Sequence, residues 1–300
     1  MTNDFLSLAD LSADEMIGLI NLADELKRKR DDHVAYRPLE GKTIALIFEK
    51  PSLRTRVTFE IGIFQLGGYG IFYQTRLGER ESVPDVARNL ERWNDGIVAR
   101  TFSHASLLAL ADNASVPVIN ALTDKEHPCQ ILADAQALRM HKGGFDGLKV
   151  AFVGDGNNVF ASWVHFVARM PMQLTLVCPE GYEPCPEVAE FAKKHGGGRI
   201  QITHDVESGV AGADAVYTDV WASMGQEAEA AEREKIFAPY QVNDHLMSFA
   251  RKDAVFMHCL PAHRGSEVTD SVIDSPQSIV FDEAENRLHV QKAVMLTLMG

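Results

Sequence analysis

The sequence is poor in the features that would place a chain in a membrane, on nucleic acid or in an oxidising compartment. Only four cysteines occur in 300 residues, Cys129, Cys178, Cys185 and Cys259, and none stands in CxxC spacing. Neither a disulfide framework nor a zinc cluster is therefore expected, and the residues read as reduced thiols of a cytoplasmic protein. No stretch approaches the roughly 18 uninterrupted apolar residues of a membrane helix. The opening segment MTNDFLSLADLSADE is acidic, with no basic region leading into an apolar run and no Arg-rich transit character. Runs of Lys and Arg are missing as well, and the formal net charge is −13. Such a surface repels nucleic acid and anionic membranes. An anionic substrate would have to be held by a few well-placed cations.

What is present describes a globular α/β protein. Hydrophobic residues make up 46% of the chain and charged residues 24%, and the length suits two domains with sizeable cores. Short β-rich runs alternate with helical patterns, which predicts parallel sheets covered on both faces. The first set of expected strands is Thr43 to Phe48, Tyr69 to Tyr73, Gly96 to Arg100 and Val116 to Ala121. Helical segments are expected near 54–66, 84–93 and 104–114, and then from His127 to His141, ending at Gly143-Gly144. The second set is Val150 to Val153, Leu174 to Cys178, Ile200 to Thr203, Ala215 to Val220, Val255 to Leu260 and Ile279 to Phe281. The expected architecture is two doubly wound domains, 1–142 and 143–284, each a mostly parallel sheet flanked by helices. A final helix from Glu285 to Met299 is expected to return to the first domain. The charge-rich stretch Gln226 to Lys235 reads as a solvated helix face. No fixed-period repeat or low-complexity tract interrupts the pattern.

The first strand runs into Pro51-Ser52-Leu53-Arg54-Thr55-Arg56, and Ser52 is a plausible N-cap for the helix that follows. A strand-to-helix turn of this kind gathers free backbone N–H groups, the positive end of the helix dipole and several hydroxyl or guanidinium groups, which suits a phosphate. An ordinary capped helix with solvent-facing arginines explains the same six residues. Three further signatures follow along the chain: Arg100-Thr101 after a strand, His127-Pro128-Cys129-Gln130 at a helix start, and His258-Cys259-Leu260-Pro261 after a later strand. In that order, with GDGNNV at 154–159, DVWASMGQE at 219–227 and AENR at 284–287, they resemble the aspartate and ornithine carbamoyltransferases over nearly the whole chain.

The resemblance implies transfer of the carbamoyl group of carbamoyl phosphate to an amine, with no metal and no organic cofactor. It puts Ser52, the Leu53 backbone, Arg54 and Thr55 on the phosphate, and Arg100, His127 and Gln130 around the carbamoyl group. Leu260 would offer a backbone carbonyl to the carbamoyl NH₂, and Arg287 would complete the pocket. Arg54, Thr55, Arg100, His127 and Cys259 are the implied catalytic set, with Cys259 beside the amine in a non-covalent role. For the acceptor, Asn158, Asp219, Ser223 and Met224 match the L-ornithine form of the family, with Asp219 holding the α-ammonium. His263 and Arg264 follow the ornithine pattern too. A homotrimer, alone or as a multiple of trimers, is also implied, and the motifs are common to making and degrading citrulline.

Two positions depart from the pattern. Leu53 replaces the Thr of the commoner Ser-Thr-Arg-Thr loop, and Phe160-Ala161 stands where a small residue and then a histidine are usual, so that Phe160 could tighten the acceptor pocket. Two rival functions fit parts of the sequence. Gly154-Asp155-Gly156 after a strand invites a dinucleotide site, but Val159 occupies the third glycine position of G-x-G-x-x-G. A binding-only protein built on the same fold would leave the intact set Arg54, Thr55, Arg100, His127, Gln130 and Cys259 unexplained.

Overall fold

A computed structural model of the chain describes residues 3–222 and 227–300. Contacts divide it into two compact units, Met1–Ala133 with Glu285–Gly300, and Asp134–Ala284. The division falls inside helix α5 (Pro128–Lys142), upstream of the Gly143-Gly144 turn where the glycines had suggested it. Gly143 does end that helix, with a φ of 80°, but a helix stop need not coincide with a change of packing partner.

Unit 1 holds a parallel four-stranded sheet in the order β2-β1-β3-β4, with β1 at Thr43–Phe48, β2 at Tyr69–Gln74, β3 at Gly96–Arg100 and β4 at Val118–Leu122. The apolar run TIALIF of β1 is buried from Ile44 onward, as expected of a strand covered on both faces. One side of the sheet packs on α3 (Val83–Leu90) and α4 (His104–Asn113) through Ala45, Ile47, Ile97, Ala99, Leu90, Leu107 and Leu110. Helix α1 (Ala13–Asp31), for which the sequence reading made no assignment, starts at a capping box between Ser12 and Glu15. The order reverses between β1 and β3, so the carboxyl ends of those strands flank a switch point where ligands of doubly wound folds bind. Helix α2 (Leu53–Gln65) leaves β1 there.

Unit 2 repeats the plan with a five-stranded parallel sheet, β7-β6-β5-β8-β9. Its strands are β5 (Lys149–Val153), β6 (Gln173–Val177), β7 (Ile200–Thr203), β8 (Ala215–Thr218) and β9 (Val255–His258), with α6 at Asn158–Val167 after β5. An aromatic cluster fills one face: Phe152 stacks on Tyr217 at 5.1 Å, and Trp163 meets Tyr217 edge-on at 5.8 Å. The Tyr217 hydroxyl donates to Asp134 Oδ2 at 2.9 Å. This sheet's order reverses between β5 and β8, placing the loops after those strands at a second switch point.

The expected strand at Ile279 to Phe281 is instead the start of α12 (Val280–Met299). Ser278 makes an isolated bridge to Phe256 and then Asp282 and Glu283 occupy the first helical turn, where acidic side chains favour a helix start. Three apolar residues in a row carry no periodicity that separates strand from helix. In the stretch from Gln226, α9 spans Ala230–Phe237. It is not solvated all round, because Arg233 is buried.

Candidate active site

In unit 1 the site is assembled from three distant parts of the chain. Thr55, in the first turn of α2, is buried, and Arg287 of α12 donates to its Oγ1 at 2.7 Å. Arg100, the last residue of β3, approaches the same Oγ1 at 3.4 Å and Ser52 Oγ at 3.3 Å. Ser52 occupies the N-cap position but its hydroxyl makes no capping bond, which corrects the expected capping role: the oxygen faces Arg100 instead. Glu49 holds the surrounding loops, its carboxylate accepting from the N–H groups of Leu77 at 2.9 Å and Phe102 at 2.6 Å.

His127 and Gln130 are buried at the start of α5. The His127 imidazole is held well below its ordinary pKa, first by burial and then by Arg287, Arg100 and Arg54. The three cations thus bear on a neutral histidine, and helix α2 begins beside Ser52 and Thr55, which Arg100 meets. Such a combination is chemically able to bind a dianion and to polarise a carbonyl next to it. Arg56, although part of the same sequence motif, takes no place here: its guanidinium lies 3.6 Å from the Phe72 ring centroid and pairs with Glu60 at 2.9 Å. The Leu53 side chain is 75% exposed, so this position offers the site only its backbone.

Unit 2 gathers a different chemistry. Asp219, following β8, accepts from Cys259 Sγ at 3.1 Å, from Asn157 Nδ2 at 2.8 Å and from the Val220 N–H at 2.8 Å. Burial, reinforced by Asp219, pushes the Cys259 thiol well above its usual pKa. It is therefore a protonated donor, the opposite of an activated thiolate. His258 behind it is fully buried, its Nδ1 accepting from the Leu260 N–H at 2.8 Å and its Nε2 lying 3.2 Å from Glu267 Oε1. This ring fastens Leu260 at a φ of 56°, a left-handed conformation that costs a leucine ~1–3 kcal/mol and marks backbone held for a purpose.

Asp219, His258 and Cys259 bring one ligand atom each within 4.8 Å of one another, the one such group of metal-ligating side chains among the described residues. Both imidazole nitrogens are already engaged and the thiol is protonated on Asp219. Cys259 and Asp219 are joined by a hydrogen bond, while His258 is committed to Leu260 and Glu267.

Sequence reasoning had assigned Asn158 to this half and overlooked its neighbour. Asn157 both touches Asp219 and caps α6, accepting from the N–H groups of Val159 at 2.9 Å and Phe160 at 3.1 Å. Asn158 is the first residue of α6 and half-buried. The signal for Asn157 was available, since Asn just before an apolar helical run is a strong N-cap. Phe160 is buried in the core, edge-on to Phe152 at 5.4 Å, so the expected narrowing of the acceptor pocket does not arise from its ring. Arg233 was also missed: it crosses to Asp155 at 2.7 Å and to the Trp221 carbonyl at 2.9 Å. Beside them, a Cβ at Gly156 would stand 2.4 Å from the Pro184 nitrogen, so the Gly154–Asn157 turn is closed off by its own chain. Ser223 and Met224 lie outside the described residues. Arg264 pairs with Asp270 at 2.7 Å and Asp274 at 2.6 Å, and the His263 N–H donates to Glu267, the carboxylate that also meets His258.

Comparison with known proteins agrees with both halves. The carbamoyl-P binding domain of aspartate/ornithine carbamoyltransferase matches residues 3–140, and its Asp/Orn binding domain matches residues 146–298. A protein of Thermococcus kodakarensis named ornithine carbamoyltransferase is 52% identical, covering 99% of this chain and 96% of its own. The ornithine carbamoyltransferase structure from Pyrococcus furiosus superposes with a TM-score of 0.96 at 48% identity, over 99% of this chain and 97% of that one. A structure of an N-acetyl-L-ornithine transcarbamylase also superposes, with a TM-score of 0.88 at 35% identity, over 98% of this chain and 99% of its own, so the fold is shared by enzymes with different acceptors. With a family model over each half and relatives above 50% identity along its whole length, the chain belongs to the aspartate/ornithine carbamoyltransferase family.

Proposed function

We propose that the chain is an ornithine carbamoyltransferase, converting carbamoyl phosphate and L-ornithine to L-citrulline and phosphate. The observation that carries the reading is the convergence of Arg54, Arg100 and Arg287 on neutral His127 and buried Thr55. In this reading residues 1–142 with 285–300 take the donor and residues 143–284 take the acceptor. Ser52, the Leu53 N–H, Arg54 and Thr55 bind the phosphate. Arg100, His127 and Thr55 meet the carbonyl oxygen, Gln130 and the Leu260 carbonyl hold the NH₂, and Arg287 closes the pocket. Asn158, Asp219, Ser223 and Met224 hold ornithine, with Cys259 beside its δ-nitrogen.

The δ-amine resembles a lysine side chain, with a pKa of about 10.4, so presenting it neutral at physiological pH accounts for about 4 kcal/mol. Its lone pair attacks the carbamoyl carbon, and the carbonyl oxygen becomes an oxyanion that Arg100, His127 and Thr55 stabilise more than they do the ground state. The bond to the phosphate oxygen then breaks, its electron pair leaves with phosphate, and phosphate accepts the amine proton. A neutral His127 supports this role, since it donates without weakening the arginines. A protonated Cys259 supports a non-covalent one.

A homotrimer or multiple of trimers is part of the proposal, as is a cytoplasmic place in arginine metabolism. Val57 and Ile61 on α2 and Tyr69 and Tyr73 on the edge strand β2 leave apolar surface exposed, which supports self-association. No described helix is long and apolar enough to cross a membrane. The test is a panel of ornithine, N-acetylornithine, putrescine, lysine and aspartate, each assayed for carbamoyl transfer. Citrulline from ornithine is the expected product. Turnover of another amine and none of ornithine would sink the acceptor assignment while leaving the reaction class in place.

A further inference from the structure

Unit 1 contains a cavity of about 400 Å³ to which none of the residues assigned above contributes. Tyr36 and Phe64 supply much of its apolar wall, while Lys29, Arg30, Arg37 and Lys292 supply charge; no carboxylate lines it. In a chain of net charge −13 such a concentration of cations is unexpected. Two of them are already neutralised, Lys29 by Glu25 at 2.8 Å and Arg30 by Glu285 at 2.8 Å. Arg37 and Lys292 have no carboxylate at ion-pair distance among the described residues. Lys292 is only 3% exposed, and its Nζ donates to the neutral Gln65 Oε1 at 2.9 Å.

A buried ammonium with one amide oxygen for company is poorly solvated. Burial, with Arg30 adding to it and Asp31 opposing, brings its pKa down to about 8. An anion entering the cavity would restore the charge balance, and the aromatic wall calls for an apolar body on that anion. We propose that this cavity is a second ligand site, which takes a small monocarboxylate carrying an apolar group, its carboxylate on Lys292 and Arg37 and its body on Tyr36 and Phe64. It is distinct from the donor site. Arg54 and Thr55 stand at the start of α2 and Phe64 and Gln65 at its end, roughly 15 Å apart at the helical rise.

The test uses 3-phenylpropionate as the probe, titrated into the full chain at pH 8 by calorimetry in two buffers of different ionisation enthalpy. Saturable binding is expected, with uptake of about half a proton per chain, because a lysine with a pKa of about 8 is half-protonated there and becomes fully so beside the carboxylate. Lys292→Met should abolish the proton uptake and weaken binding by about tenfold, the scale of one charge-assisted hydrogen bond. Arg37→Ala, at an exposed position, should weaken binding by roughly threefold and stands in if the buried variant fails to fold. Arg54→Ala should leave the titration unchanged. The proposal is overturned if binding does not saturate, if 3-phenylpropanol binds as tightly as the acid, if both cavity variants bind like the parent, or if Arg54→Ala removes binding.

Discussion

The two switch points of this molecule have the same topology and opposite chemistry. At the first, between β1 and β3, three arginines from α2, β3 and α12 bear on a neutral histidine. At the second, between β5 and β8, a carboxylate is wrapped by neutral donors: a thiol, an amide and a backbone N–H. In the proposed reaction the first half recognises by charge and stabilises an oxyanion. The second, in the proposed reaction, must hold an ammonium at one end of an amino acid and an uncharged amine at the other. It does this with groups whose protons are fixed by hydrogen bonds. The lesson is that the doubly wound plan supplies only the location, and the residues ending each strand decide what is bound there.

The most severe way to break the contrast is to remove a cation from the first half. Arg100→Ala should lower kcat for citrulline formation by about 10²–10³-fold, as loss of one oxyanion donor does, with little change in thermal stability because the guanidinium faces the site. A variant within a few-fold of the parent would mean that the oxyanion forms elsewhere. Cys259→Ala probes the second half and should be milder, about tenfold in kcat/KM for ornithine, the value of a hydrogen bond to a charged partner. Steady-state kinetics on both variants decide the order. A loss at Cys259 as deep as that at Arg100 would instead indicate a covalent thiol, against its elevated pKa.

The two halves were not equally legible in the sequence. The runs TIALIF and KVAFV stand out as strands because parallel sheets bury both faces, and the residue types at their ends could be read as chemistry. Arg287 was named only through family resemblance, since nothing local to AENR reveals that α12 returns it to Thr55. Ser52 and Asn157 exchanged expectations: the predicted cap makes no cap, and the overlooked residue caps a helix while holding Asp219. A cap is a local signal, but a nearby guanidinium or carboxylate competes for the same side chain, and that competition is tertiary. Phe160 failed for a related reason. Its position two residues after Asn158 suggested a pocket, whereas two steps along a helix turn a side chain by about 200° and send it to the core.

A smaller effect separates the halves by acid sensitivity. His127 is buried in unit 1 with a pKa well below its ordinary value, and His289 is pushed down to about 4 by burial. Unfolded, both take up protons near pH 6.5. The unfolded chain therefore binds more protons below that value, so stability is intact above it and declines as pH falls toward 4. Unfolding midpoints measured from pH 7.5 to 5 should drop less in His127→Asn than in the parent, after each is referenced to its own value at pH 7.5. Equal slopes would show that His127 takes up its proton in the folded state.

The least effect is expected at the residue that departs most visibly from the family pattern. Leu53→Thr restores the commoner loop sequence, and if side-chain identity set donor affinity it should lower the KM for carbamoyl phosphate substantially. The geometry argues otherwise. The leucine side chain is three-quarters exposed, at 75%, while the groups that meet Thr55 and Ser52 come from Arg100 and Arg287. What position 53 contributes is an N–H at the start of α2, which threonine supplies equally. The KM should therefore move by less than about twofold, and helix propensity alone predicts a small cost, on the order of a few tenths of a kcal/mol, from the β-branched residue. A shift of tenfold or more would mean that the side chain turns into the site when the phosphate arrives, and would extend the reach of the cationic half to a residue that now faces solvent.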